Sequence, residues 1–129
     1  MRRIPVIAFA IVLGVSTLSF GGDDPSITGD TRKGIQAAMK SHIDENTVNG
    51  RYIIYDAVTG ALKKLKFDRV HKGIVKKADF YVSCADFIDE GGKKYDLDLL
   101  VVKKDGDFRA VDTIVHSIDG KKRKYHLED

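Results

Sequence analysis

The chain has one cysteine, two prolines and no tryptophan in 129 residues. A single cysteine, Cys84, cannot close a disulfide within the chain, so packing alone must hold the fold. Cys84 sits in a strand-like run and reads as a small buried hydrophobe; pairing with another chain is the alternative. The four histidines, His42, His71, His116 and His126, show no paired spacing, and no HExxH pattern is present. A glycine-rich phosphate loop, a Gly-x-Ser-x-Gly elbow and a local Cys-His pairing are missing too. From these absences we expect no cofactor and no metal, and no catalytic residue is assigned.

Charge of one sign is also lacking, with 22 basic residues against 19 acidic ones. Two of the basic residues, Arg2 and Arg3, belong to the amino-terminal segment, which leaves 20 against 19 beyond it. That balance argues against nucleic acid or an anionic membrane surface as a partner. Five Lys-Lys pairs (63/64, 76/77, 93/94, 103/104 and 121/122) read as strand-end lysines that deter edge-to-edge association.

What the chain does have begins with an address. Arg2-Arg3, an apolar run from Ile4 to Leu13, and small residues at Ser19 and Gly21 follow the order of a secretory signal peptide cut between Gly21 and Gly22. Pro5 and Gly14 make this stretch poor as a permanent span, and an uncleaved anchor is the alternative. The expectation is export to the periplasm or medium, with no membrane contact after removal. Residues 1–21 are then the signal peptide, 22–30 a flexible lead, and 31–129 a single domain. The remaining 108 residues suffice for one core and are too few for two.

Thr28 or Asp30 is placed to cap a helix over about 31–46, with Ile35, Ala38, Met39 and Ile43 on one face and His42 at its margin. Asn49-Gly50 ends it. Strand-like segments follow: Arg51–Asp56, a bulged run over Leu62, Leu65, Phe67 and Val70, then 76–89, 94–104, 108–118 and a short basic strand ending near Leu127. Thr59-Gly60, Gly91-Gly92, Asp105-Gly106 and Asp119-Gly120 are the turn signals. The reading is α+β: one amino-terminal helix packed on a curled antiparallel sheet of five to six strands.

This order over about 31–126 resembles the cystatin-like folds, including the nuclear-transport-factor-like cone. The resemblance implies a sheet curled around the helix, often with a pocket between them. The cystatin inhibitory motif Gln-x-Val-x-Gly is absent, so protease inhibition is not implied. The stretch from Tyr55 to Leu62 resembles a hairpin of PepSY-type modules in exported bacterial proteins.

Taking Gly91-Gly92 and Asp105-Gly106 as two-residue turns sets the register. Residues 88, 86 and 84 then pair with 95, 97 and 99, and residues 99, 97 and 95 with 112, 114 and 116. The more apolar face, expected to meet the helix, is interrupted by Asp86, Asp112 and His116, with Tyr95 beside His116 and Cys84 near. Burial raises a carboxyl pKa and lowers that of histidine, which suits acid-base work or ligand binding. Cys84, Asp86, Tyr95, Asp112 and His116 are therefore the candidate pocket. The opposite face carries Leu100, Val102, Val111 and Val115, apolar enough for a protein partner or a second copy. Asp96 and Asp98 share that face, with too few oxygens for a calcium loop. The function expected is an exported binding or protein-interaction domain that is not an enzyme. The alternative is a cone-fold carrier or acid-base enzyme with its pocket on the helix-facing side of the sheet.

Overall fold

The computed structural model describes residues 22–124. The signal-peptide reading and the end of the basic terminal strand lie outside them. The fold is α+β, with one helix packed on an antiparallel sheet of seven strands in simple chain order. Helix α1 spans Gly29–Glu45; the strands are β1 (Thr47–Val48), β2 (Arg51–Asp56), β3 (Ala61–Lys77), β4 (Phe80–Ile88), β5 (Lys94–Lys104), β6 (Asp107–Ile118) and β7 (Lys121–Lys122). The count exceeds the expected five to six because the two-residue β1 pairs with β2 at one edge, while the expected strand over 76–89 divides at residues 78–79, its first residues ending β3. Such short edges limit sheet-to-sheet association. No helix among the described residues is long and apolar enough to cross a membrane.

The helix forms where the apolar spacing places it. Ile35, Met39 and Ile43 are buried, and Ala38 packs beside them. Thr28 is the N-cap, although its side chain makes no capping hydrogen bond. The lead is tied down: Asp24 N–H donates to the Ile74 carbonyl at 2.8 Å, and Ile27 is buried. Helix α1 rests mainly on β6 and also on β3 and β5. The core between them takes Tyr52 and Ile54 from β2, Leu65 and Ile74 from β3, and Ala85 and Phe87 from β4. Tyr95, Leu97, Leu99 and Val101 enter it from β5, and Ala110 and Val115 from β6.

Three of the Gly-containing turns behave as two-residue hairpins. Asn49-Gly50, Asp105-Gly106 and Asp119-Gly120 all have both residues at positive φ, the backbone that matches the twist of paired strands. Gly91-Gly92 does not. The connection between β4 and β5 has five residues, closed by Asp89 N–H on the Lys93 carbonyl and Gly92 N–H on the Asp89 carbonyl. Ile88 therefore pairs with Lys94, not Tyr95, and the whole β4–β5 register moves by one residue.

That single step reassigns a face, because side chains alternate along a strand. Tyr95, Leu97, Leu99 and Val101 keep their expected place under the helix, but their β4 companions are Ala85 and Phe87. Cys84 and Asp86 turn to the outer face and stand opposite Asp98 and Asp96. In β6 the expected register holds from Lys104 to Val101 and then slips at two bulges. Those slips put Ala110 and Val115, of opposite parity, in the same core. The expected outer cluster of Leu100, Val102, Val111 and Val115 is thus divided: Val115 is in the core and Val111 is exposed.

Candidate functional site

The most irregular backbone in the sheet lies in β3. Val70 pairs with Ala85 and Ile74 with Ser83, so residues 71–73 bulge opposite Cys84 alone. An unpaired backbone group costs stability unless something satisfies it, and here the neighbours do. Ser83 Oγ donates to the Gly73 carbonyl at 2.7 Å. Arg32, reaching across from α1, donates to the Lys72 carbonyl, to the Ile27 carbonyl at 2.9 Å and to Asp23 at 2.8 Å. Asp23 also accepts from Ile74 N–H at 3.2 Å. Helix, lead and strand together hold the bulge, and the bulge carries His71.

His71 joins a polar cluster on the outer face. Its Nε2 lies 2.7 Å from Asp86, which also accepts from Arg69 at 3.1 Å. Cys84 Sγ donates to Asp98 at 2.8 Å, and His116 Nδ1 lies 2.9 Å from the other oxygen of the same carboxylate. Asp96 stands beside them with its Oδ1 enclosed and lacking a hydrogen-bond partner. A nitrogen of His71, the sulfur of Cys84 and an oxygen of Asp96 all lie within 4.8 Å of one another. These three side chains come from three strands and can hold a metal ion. The bulge and β4–β6 enclose a cleft of about 670 Å³ over this cluster. His71, Asp86, Asp96, Lys72, Lys94 and Ser117 are among its walls.

Burial sets the electrostatics. It pushes the Asp96 carboxyl up to about 6; the nearby His71 and His116 pull it down, while Asp98 and Asp86 add to the rise. Burial, followed by the Asp98 charge, pushes the Cys84 thiol far above its usual range. A free thiol in that setting is a weak nucleophile, because the thiolate is the reactive form. The order of the groups matters as well. A nucleophilic triad places histidine against the thiol, whereas here Asp98 stands between Cys84 and His116.

The structure brings together three of the five expected pocket residues, Cys84, Asp86 and His116, and separates the other two. Tyr95 borders the cleft but belongs to the core on the helix side rather than to the polar cluster, and burial raises its hydroxyl pKa. Asp112 is exposed, and its carboxylate accepts from the Thr113 N–H at 2.8 Å. The helix-facing side of the sheet is filled by the core. A groove between α1 and the β5–β6 hairpin opens there, and it is bordered by His42. His42 itself bonds the Tyr52 hydroxyl at 2.9 Å, and burial lowers its pKa.

Sequence reasoning missed His71 and separated Asp96 and Asp98 from Cys84. The carboxylate pair had a visible signal, two acidic residues inside an otherwise apolar strand. His71 had none, because its position depends on a bulge pinned in part by residues 40 or more positions away. Compared with known proteins, the chain matches no family model, no curated protein and no solved structure.

Proposed function

We propose that the chain is an exported binding domain whose site is the outer-face cleft over His71, Asp86 and Asp96. The arrangement of one helix followed by a meandering sheet supports a cystatin-like reading, with the pocket moved from the helix side to the far side of the sheet. One observation carries the proposal: an enclosed carboxylate oxygen of Asp96, without a hydrogen-bond partner, at the base of a polar cleft. Leaving such an oxygen unmet costs about 1–3 kcal/mol, which a bound ligand removes. Histidine, lysine and carboxylate side chains around it favour a small polar ligand over an apolar one. The site is read as binding rather than catalysing, since burial disfavours the Cys84 thiolate and Asp86 is engaged by both Arg69 and His71.

Native mass spectrometry on protein recovered from its own cells tests this. An added mass that is lost on denaturation and absent from the Asp96→Ala variant supports the reading. A clean apo mass that becomes a dimer, unchanged by Asp96→Ala, would replace it with an interaction surface. The exposed Tyr55, Val58 and Leu62 on the β2–β3 hairpin favour that second reading.

A further inference from the structure

We propose that the floor of the cleft is a site for one divalent transition-metal ion of the zinc class, held by His71, Cys84 and Asp96. This rests on the cleft being the binding site and names what it binds.

The donor set selects the ion. Sulfur, imidazole nitrogen and carboxylate oxygen together suit zinc and its neighbours, whereas calcium and magnesium take oxygen alone. The spacing is close to what such an ion needs. Ligands at 2.0–2.3 Å in a tetrahedron stand roughly 3.5 Å apart, and the three donor atoms already lie within 4.8 Å of one another. Rotation of side chains by about 1 Å closes the set, with no change of strand register.

The surroundings are those of a built site. Asp86 holds one ring nitrogen of His71 at 2.7 Å, the kind of outer carboxylate that orients a ligating histidine. Asp98 accepts from the Cys84 thiol and in turn contacts His116. When the sulfur–metal bond forms, the S–H bond breaks and its proton passes by way of Asp98 to solvent. The ion then meets the Asp96 carboxylate, whose Oδ1 otherwise lacks a partner. It also offsets the mutual repulsion of Asp86, Asp96 and Asp98, which lie on adjacent strands of one face. Three protein ligands leave a fourth position, the arrangement of zinc sites that keep a place for water or a small anion. Two of the three ligands, His71 and Asp96, line the cleft.

The test uses tag-free protein from the full chain, titrated with Co²⁺ and then with Zn²⁺. One equivalent of Co²⁺ should give a thiolate-to-metal absorption band, which Zn²⁺ abolishes. Cys84→Ser should remove the band, and His71→Gln and Asp96→Asn should each weaken binding by about tenfold or more. Asp112→Asn, exposed and outside the cluster, should leave it unchanged. Circular dichroism checks each fold, and where a ligand variant fails to fold, Zn²⁺-dependent protection of the wild-type thiol from alkylation is read instead. No thiolate band together with no thiol protection overturns the proposal, as does a band that survives Cys84→Ser. Native mass spectra separate the two levels: an organic mass without metal overturns the ion and leaves the cleft as the site, whereas no bound mass of either kind overturns both.

Discussion

The pair formed by Asp56 and Arg123 ties the end of β2 to the chain after β7, and removing Arg123 tests how much it holds. The two guanidinium nitrogens donate to the two carboxylate oxygens at 2.7 and 2.8 Å. The Asp56 side chain is 2% exposed and that of Arg123 20%. Arg123→Ala leaves the carboxylate enclosed with the Val58 N–H at 3.1 Å among its few remaining donors. Breaking a buried pair from one side costs about 3–5 kcal/mol, and the partial hydration of Arg123 places this one near 3 kcal/mol. For a domain of this size that is a fall in Tm of about 15 °C. The Arg123 hydrogen bonds hold the folded Asp56 carboxyl well below its ordinary range. Its contribution is therefore present in full above the unfolded pKa of about 3.9 and is lost as pH falls through the lower folded value. Urea and thermal unfolding of both proteins, followed by circular dichroism from pH 7 to pH 2.5, should show the gap narrowing below about pH 4. Asp56→Asn should cost less than Arg123→Ala, because the charge left behind reaches water. A loss under about 1 kcal/mol at pH 7, or a gap that stays constant down to the acid limit, would refute the reasoning.

Three further outcomes follow from packing and backbone geometry. A Cβ on Gly34 would stand 2.7 Å from Cδ2 of Phe108, so Gly34→Ala should lose about 1 kcal/mol net despite better helix propensity. Gly34→Ala with Phe108→Leu should recover it in the same urea melts. Arg32→Lys cannot satisfy Ile27, Lys72 and Asp23 together, and should cost about 2 kcal/mol. It should also speed amide exchange at Ile74, whereas exchange confined to the helix would argue against the clamp. Ala78 is held at φ 42° in the turn between β3 and β4, so Ala78→Gly should stabilise by about 1 kcal/mol, and a loss of stability would show that its methyl group packs.

Local patterns were enough for much of the fold. The three- and four-residue spacing of Ile35, Met39 and Ile43 defines a helix face wherever the helix packs, and Asn-Gly and Asp-Gly pairs permit positive φ without reference to anything distant. Alternation in Tyr95–Val101 likewise marks the buried side of β5. The turn between β3 and β4 was not legible, because Ala78-Asp79 lacks a turn residue at the strained position. Nor was the face on which Cys84 and Asp86 lie. Alternation says which residues travel together along one strand, but their partners across the sheet depend on loop length, and one residue at Gly91-Gly92 reversed them. The site itself belongs to tertiary structure. His71 reaches Asp86 because Arg32, Asp23 and Asp24 satisfy a bulge that has no strand partner of its own. The sequence alone determined the helix, the meander of strands and the candidates Cys84, Asp86 and His116. Only long-range hydrogen bonding decided that they would meet His71, Asp96 and Asp98 on the side away from the helix, because register and bulges are settled between strands rather than within them.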